Sequence, residues 1–237
     1  MSKFLKLTVA TITAVFFYGS AIAFQGISIG VIGDSADFST TGKEYQLTGG
    51  VPNGEDAKTG SHSADAEFPA IFIEYTGGEA GGMSYSLGIE YTPGEAEIGA
   101  KSRTDTNSTA GNDGGDDGTY TAKAEIEDLT TLYIEPGYQI NDNFALYGKT
   151  GISHTTVKTL ESLANGTDSS TYPDADVFGF LYGIGVKANL NSGIFAKLEA
   201  TTTNFETVKL GSNTGNKMQI EANPEKESVR LAIGYNF

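Results

Sequence analysis

The amino-acid sequence predicts an all-β fold, an eight-stranded antiparallel transmembrane β-barrel with short turns at one end and four long loops at the other. Three observations support this prediction. Eight segments alternate apolar with polar or small residues, which is the pattern of a strand whose two faces meet different environments. The connections between these segments alternate between short and long. Helix signals are nearly absent, whereas the 31 glycines favour turns and strands.

The N-terminus carries the features of an export signal. Two lysines precede an apolar run from Leu7 to Tyr18, and the small residues AIA end at Ala23. This order is typical of a secretory signal peptide with an A-x-A-like cleavage site. An N-terminal membrane anchor is the alternative, but the run is shorter than the roughly 20 residues that a spanning helix needs. The sequence therefore predicts a cleavable signal at 1–23 and a barrel over 24–237.

The strand segments differ in how regularly they alternate. The clearest is MSYSLGIEYT, which covers Met83–Thr92 without a break. The fourth segment is the least regular because AEIEDLTT interrupts the alternation, and a β-bulge near Asp128 restores it. In chain order the predicted strands cover residues 26–33, 68–76, 83–92, 122–135, 144–157, 178–189, 194–202 and 228–237.

The connections predict how the strands are arranged. GGEAGG, QINDN and NLNSG join strands two to three, four to five and six to seven, and all three are short. The other connections are long and polar, and they cover residues 34–67, 93–121, 158–177 and 203–227. An up-and-down order of strands then places every short turn at one end. All six prolines are expected in loops or at strand ends, where a missing N–H is tolerated.

The composition of the two strand faces indicates which one points outward. The polar face is rich in glycine and serine, which suits a narrow lumen better than a soluble exterior. The apolar face carries aromatic residues toward the strand ends, as the interfacial girdles of membrane barrels do. These aromatic residues are Tyr75, Tyr91, Tyr182, Tyr235 and Phe237. We therefore expect the apolar face to contact lipid and the barrel to be closed, because lipid cannot satisfy an open sheet edge.

The end of the chain, VRLAIGYNF, predicts a last strand that pairs with the first one and closes the barrel. Together with LYIEPGYQINDNFALYGKTGIS, it resembles the small eight-stranded outer-membrane barrel proteins of Gram-negative bacteria, the OmpA/OmpX-like group. The resemblance implies periplasmic turns, extracellular loops, and surroundings of outer-membrane lipid and lipopolysaccharide. It also implies that the barrel-assembly machinery reads the apolar residues of the last strand as its signal, namely Val229, Leu231, Ile233, Tyr235 and Phe237. A peptidoglycan-binding domain such as that of OmpA is not expected.

The charge and the missing cysteines exclude several classes of function. The net charge is −15, and removal of a signal with two lysines and no acidic residue brings it to −17. This acidity argues against nucleic acid as a partner, because phosphates require Lys and Arg. With no cysteine, the chain has no lipoprotein anchor, disulfide or cysteine-zinc site. No cofactor is predicted.

Charged residues on the inward parity predict a network inside the barrel. They are Glu74, Glu90, Glu135, Lys149, Lys187, Lys197, Glu199 and Arg230. Buried ions persist only when they are paired. The turn near Asn141–Asp142 puts Glu135 opposite Lys149, which makes them cross-strand partners. The network either plugs the lumen or forms a gated path for ions or small solutes. A general diffusion porin is not favoured, since eight strands leave room only for their own side chains.

Catalysis finds little support in the sequence. His62 is expected in the first long loop, and His154 follows Ser153 with a parity that points to lipid. A Ser/His/acid site requires a geometry that spacing alone does not show. The lipid A deacylase barrels place His and Ser two residues apart near the C-terminus, whereas SHTT lies in mid-chain. We therefore predict no enzymatic activity and no catalytic residue.

The second long loop contains NDGGDDG, whose carboxylates Asp113, Asp116 and Asp117 are weak candidates for a metal site. The spacing differs from that of a Ca²⁺-binding EF-hand loop. A solvated flexible loop is one interpretation, and divalent-cation binding that bridges to lipopolysaccharide phosphates is the other. The predicted function is envelope integrity and surface recognition or adhesion to an extracellular ligand or cell surface through acidic loops. A narrow channel is the alternative.

Overall fold

The computed structural model describes residues 25–48, 51–52, 58–105, 118–162, 171–213 and 218–237. Within these residues the regular structure consists entirely of β-strands, and no helix is long and apolar enough to span a membrane. The strands are β1 (Gly26–Thr48), β2 (Val51–Pro52), β3 (Lys58–Ala80), β4 (Met83–Asp105), β5 (Gly118–Asn141), β6 (Phe144–Ser162), β7 (Ala175–Asn191), β8 (Ile194–Phe205), β9 (Val208–Gly211) and β10 (Met218–Asn236). The predicted signal peptide and the metal candidates Asp113, Asp116 and Asp117 lie outside the described residues.

Eight of these strands form a closed antiparallel ring, which confirms the predicted barrel. The order is β1-β3-β4-β5-β6-β7-β8-β10, and β10 pairs with β1 to close it, while β2 and β9 are short additions. The last strand pairs along its whole length, from Ser28 opposite Asn236 to Gln46 opposite Met218. The Phe237 amide also donates to the Ile27 carbonyl at 2.9 Å. The C-terminus is therefore part of the barrel wall.

The short connections are two-residue turns at 81–82, 142–143 and 192–193, all at one end of the barrel. Their residues suit such turns. Gly81 and Gly82 have positive φ angles, as do Ser192 and Gly193. At the middle turn, the Asn141 side-chain oxygen accepts hydrogen bonds from the amides of Asn143 and Phe144.

The four long connections are shorter than predicted because the strands continue into them. Strands β1, β3 and β4 each have 23 residues, more than twice the roughly 10 residues that cross a bilayer. We call the part formed by 26–34, 69–92, 130–154, 178–202 and 229–237 the membrane half, because its outward side chains are mostly apolar. The remaining strand residues form the outer half.

The predictions for the bulge and for the prolines had different outcomes. The bulge near Asp128 is confirmed, because the β5–β6 register shifts between Glu127 and Thr130 and Asp128 has a φ of 53°. The prediction that every proline lies in a loop or at a strand end is wrong. Prolines 69, 93, 136 and 224 lie within long strands, where ladder interruptions or neighbouring bulges accommodate some of them.

Candidate functional site

The membrane half of the barrel has a charged interior. The structure places all eight predicted charged residues there, each at most 5% exposed: Glu74, Glu90, Glu135, Lys149, Lys187, Lys197, Glu199 and Arg230. Alternation along each strand puts them inside, because most of their sequence neighbours are apolar residues that face outward, Lys149 between Gly148 and Thr150 being the exception.

Two further charged residues join this buried network, Asp34 in the membrane half and Lys226 just beyond it, and the sequence prediction missed both. Asp34 and Lys226 are buried, and Lys226 Nζ lies 2.6 Å from Asp34 Oδ2. Each lies an even number of positions from an inward residue of its own strand. Asp34 is two positions after Ile32, and Lys226 is four positions before Arg230. The signal was present, but the predicted strands ended at 33 and began at 228.

At one end of the network, Glu74 and Glu135 share the cations of β7 and β8. Lys187 Nζ lies 3.1 Å from a Glu74 oxygen. Lys197 Nζ lies 2.5 Å from the other Glu74 oxygen and 2.8 Å from Glu135. The pair Lys197–Glu74 joins β8 to β3 across the lumen.

The centre of the network is Lys149, which contacts three carboxylates. They are Glu90, Glu135 at 3.2 Å and Glu199 at 3.2 Å. The predicted pair of Lys149 with Glu135 is therefore present, but Glu90 is the nearer partner of Lys149. Glu135 in turn lies nearer to Lys197.

Arg230 extends the network toward the outer half. Its guanidinium lies 2.6 Å from Glu90, 3.1 Å from Glu199 and 3.5 Å from Asp34. Asp34 then pairs with Lys226, so the contacts form one continuous chain that begins at Lys187. Its five cations and five anions cancel, and the whole net charge of −15 resides on the other residues.

Aromatic rings fill the space around these charges. The Tyr133 hydroxyl donates to Glu74 at 3.0 Å, and the Tyr147 hydroxyl donates to Glu199 at 2.8 Å. Four inward rings lie directly over inward glycines of other strands, where an added Cβ would come under 3.0 Å from the ring. These pairs are Phe72 with Gly30, Tyr133 with Gly88, Tyr147 with Gly185 and Phe195 with Gly234. The glycines of the polar face thus make room for aromatic side chains.

The interior of the outer half is mainly apolar, with Lys226 as a buried charge near its border with the membrane half. Eleven buried residues form one cluster, which we call the outer core: Ala36, Phe38, Phe68, Ile98, Ile126, Leu129, Val157, Val177, Phe205, Val208 and Leu210. The segment before β7 covers part of it, because Tyr172 packs against the cluster and donates to Glu44 of β1 at 3.0 Å. The lumen is therefore occupied mainly by paired charges and aromatic rings in the membrane half and by apolar side chains in the outer half.

The side chains weighed for catalysis do not come together, because Ser153 and His154 point to opposite faces of the wall and His62 is on another strand. His62 is on strand β3 and not in a loop, because β3 extends into the predicted first long connection. His154 is half-buried on the outward face, with its ring 4.8 Å from that of Phe178. Ser153 is buried inside and its hydroxyl lies 2.8 Å from that of Thr131. No cluster of metal-ligating side chains is found in the described part of the chain.

The outward face of the outer half carries carboxylates. Asp37 lies directly opposite Asp65 on β3 and Glu227 on β10, so three like charges share one row. A second group surrounds Lys158, whose Nζ lies 2.6 Å from Glu95 and 2.8 Å from Glu127. Hydrogen bonds to Glu127 and Glu95 raise the pKa of Lys158. The bond to Lys158 lowers the pKa of Glu95.

Comparisons with known proteins found similar solved structures and one family model. Similar solved structures include the outer membrane protein OprG from Pseudomonas aeruginosa, with 15% identity, a TM-score of 0.48 and coverage of 92% of this chain and 99% of that one. Ail, the attachment invasion locus protein of Yersinia pestis, in complex with the heparin analogue sucrose octasulfate, has 13% identity, a TM-score of 0.36 and coverage of 87% and 99%. The outer membrane protease OmpT from Escherichia coli has 10% identity, a TM-score of 0.44 and coverage of 95% and 100%. At these identities the likeness concerns the fold alone.

A comparison with curated protein sequences found no match. The model of one family, described as the outer membrane protein beta-barrel domain, matches residues 30–237. This match confirms the resemblance to small outer-membrane barrels, and it includes residues of all eight strands of the ring. The chain belongs to the family of outer membrane protein β-barrel domains.

Proposed function

We propose that this protein is a closed, non-enzymatic outer-membrane barrel that supports envelope integrity and presents an acidic face for surface recognition or adhesion. Export through a cleavable signal at 1–23, assembly through the last strand and contact with lipopolysaccharide are parts of the same proposal. The single observation that carries the closed lumen is the outer core, a cluster of eleven buried apolar residues inside the outer half.

Two barriers in series support a barrel that does not conduct. An ion that passes Arg230 and Lys149 in the membrane half must displace paired charges. It then meets the hydrocarbon side chains of the outer core, which cannot replace its water of hydration, and desolvation of an ion in such surroundings is costly. A narrow channel would require both the charged network and the outer core to move out of the lumen.

Recognition is supported by the position of the excess charge. Because the interior charges cancel, the acidity lies on residues outside the network, and Asp37, Asp65 and Glu227 form one row of it on the outward face. Loops and strand ends at a cell surface are common contact sites. A cationic ligand or surface is the electrostatically complementary partner.

Planar-bilayer recording tests the closed lumen. We expect no resolved conductance steps from the purified, refolded barrel. Reproducible steps from the wild type would favour the narrow channel and overturn the closed barrel.

Recognition is tested separately, by the binding of whole cells to a cationic surface. Bacteria that carry the triple variant Asp37→Asn, Asp65→Asn, Glu227→Gln should bind less than wild type. The matched control is Asp142→Asn, which removes a carboxylate at the turn end of the barrel and should bind like wild type. Equal binding by all three strains would contradict the recognition role.

A further inference from the structure

The wall of the barrel has a seam between β3 and β4. Their backbone ladder runs from the turn to Ile71 opposite Tyr91 and stops there. If the register continued, Ala70 would lie opposite Thr92, and Pro69 would lie opposite Pro93. Proline has no N–H and cannot donate to a ladder. Each strand therefore has a proline two positions beyond the last pair of the ladder.

Beyond this point each strand keeps only its other neighbour. β3 remains paired with β1 as far as Lys58 opposite Glu44, and β4 remains paired with β5 as far as Asp105 opposite Gly118. Within the described residues, no β3–β4 backbone pair occurs above Ile71. A Cβ on Gly99 would lie 2.8 Å from the His62 ring, so the His62 side chain reaches β4 across the seam where the backbones do not bond.

The two open edges differ in regularity. The β1–β3 register is unbroken, so the edge of β3 over Lys58–Ala70 is that of a regular strand. The register of β4 shifts between Thr92 and Glu95 and again between Glu97 and Gly99. Bulges twist an edge and hinder further pairing, whereas a regular edge accepts another strand. Of the two edges, that of β3 therefore has the geometry that another strand can pair with.

The side chains beside this edge specify the chemistry of the added strand. Asp65 and Glu67 point outward and are exposed, and no lysine or arginine of the described chain pairs with either. Asp65 also lies beside Asp37, and like charges directly opposite each other are unfavourable. Inward, Ala66 and Phe68 pack with the outer core. A matching strand alternates basic residues outward with apolar residues inward.

We propose that the edge of β3 over Lys58–Ala70 binds an extended basic segment of another protein by antiparallel or parallel strand addition. Backbone hydrogen bonds supply the affinity, and the carboxylates select basic side chains, as in other cases of strand addition. This inference rests on the recognition role proposed above and names the class of partner.

The probe is a ten-residue peptide that alternates lysine and valine, measured by fluorescence anisotropy with the refolded barrel in micelles. A second peptide of the same sequence is N-methylated at the residues whose N–H faces the edge. We expect it to bind at least about tenfold more weakly, because several backbone hydrogen bonds are lost. Amide exchange of β3 over Lys58–Ala70 should slow on binding of the first peptide, and that of the β4 edge should not.

Two matched variants separate strand addition from simple charge attraction. Asp65→Asn with Glu67→Gln should weaken binding, whereas Glu95→Gln with Glu97→Gln makes the same change in net charge on the β4 side and should leave it unchanged. Equal binding of both peptides, or equal loss in both variants, would overturn strand addition and leave charge-based recognition in place. No binding of either peptide would overturn strand addition, while the whole-cell test above decides recognition independently.

Discussion

The membrane half and the outer half of the barrel share the same strands but have opposite polarity on their faces. Strand β4 shows this within one element. In the membrane half Ile89 points outward and Glu90 is buried, whereas in the outer half Glu97 points outward and Ile98 is buried. From Ile89 to Ile98 the even-numbered side chains face inward. What changes is the solvent on the outside, which is lipid in one half and water in the other.

This difference shows that a continuous strand can serve two kinds of core. Lipid selects apolar residues for the outside, and the narrow lumen is then filled by charges that must pair. Water selects polar residues for the outside, and the interior becomes an ordinary hydrophobic core. The same residue type should therefore have opposite energetic roles in the two halves, and matched substitutions test this.

The largest effect is expected at the C-terminal aromatics of the membrane half. Tyr235 and Phe237 are exposed outward with their rings 5.0 Å apart, so they can act at the membrane interface and as the predicted assembly signal. Replacing both by serine should abolish insertion, seen as loss of the heat-modifiable band from outer-membrane fractions. Tyr172→Ser in the outer half is the control and should still insert. Normal levels of the double variant would contradict the assembly signal.

The next effect concerns a lysine in each half. Lys149→Ala leaves three buried carboxylates without their shared cation, which should cost on the order of 3–5 kcal/mol in denaturant unfolding. Lys158→Ala removes a lysine that also contacts two carboxylates, but at the surface, and should hardly move the midpoint. Bilayer recordings of both variants should stay silent. A stable and conducting Lys149→Ala barrel would favour a gate over a plug.

A double variant sharpens this result. Glu135→Leu with Lys149→Met removes one charge of each sign and keeps the interior neutral. It should recover part of the stability that Lys149→Ala loses. Recovery is expected to be incomplete because Lys149 also serves Glu90 and Glu199, and Lys197 also serves Glu135. Full recovery would mean that the pair is isolated from the network.

Replacing one phenylalanine in each half should give a somewhat smaller difference in the free energy of unfolding. Phe38 is 3% exposed and packs edge-to-face on Phe68 at 5.8 Å, so Phe38→Ala should cost about 3 kcal/mol by leaving a cavity in the outer core. Phe180 points outward in the membrane half with 57% of its surface exposed, and detergent can occupy the space that Phe180→Ala leaves. Urea unfolding in micelles measures both. Equal losses would show that the outer core is not packed as a core.

The ring of eight strands could be predicted from the sequence, because contact with lipid requires apolar residues at most outward positions and so produces a regular alternation. The sequence was insufficient for strand length. Segments such as the one around Asp37 and Phe38 alternate with the apolar residue inside, so a search for an outward apolar face ends too early. For the same reason Asp34 and Lys226 were missed, although each continues the parity of its strand.

The partners inside the lumen were less predictable than its residues. Register gives only neighbours on adjacent strands, which is how Glu135 was matched with Lys149. Lys149 on β6 also reaches Glu90 on β4, and Lys197 on β8 reaches Glu74 on β3, across a lumen whose width lets long side chains meet. Such contacts depend on side-chain length and on the rings between them. Period-two patterns contain no information on either.

The smallest expected effect is a change in the pKa of Glu95, which lies on the outward face near the border of the two halves. A hydrogen bond from Lys158 lowers the pKa of Glu95. A carboxyl whose folded-state pKa is below its unfolded value stabilises the fold above the unfolded pKa, and this contribution disappears as the pH falls through the folded-state pKa. Lys158→Met should therefore raise the midpoint of Glu95 in an NMR titration and make acid unfolding slightly less steep. Lys209→Met is the control, because Lys209 pairs with Glu221 at 3.3 Å and not with Glu95. An unchanged Glu95 midpoint in Lys158→Met would show that water, and not the lysine, determines the charge state of this surface, and the outer face would then behave as a set of independent carboxylates.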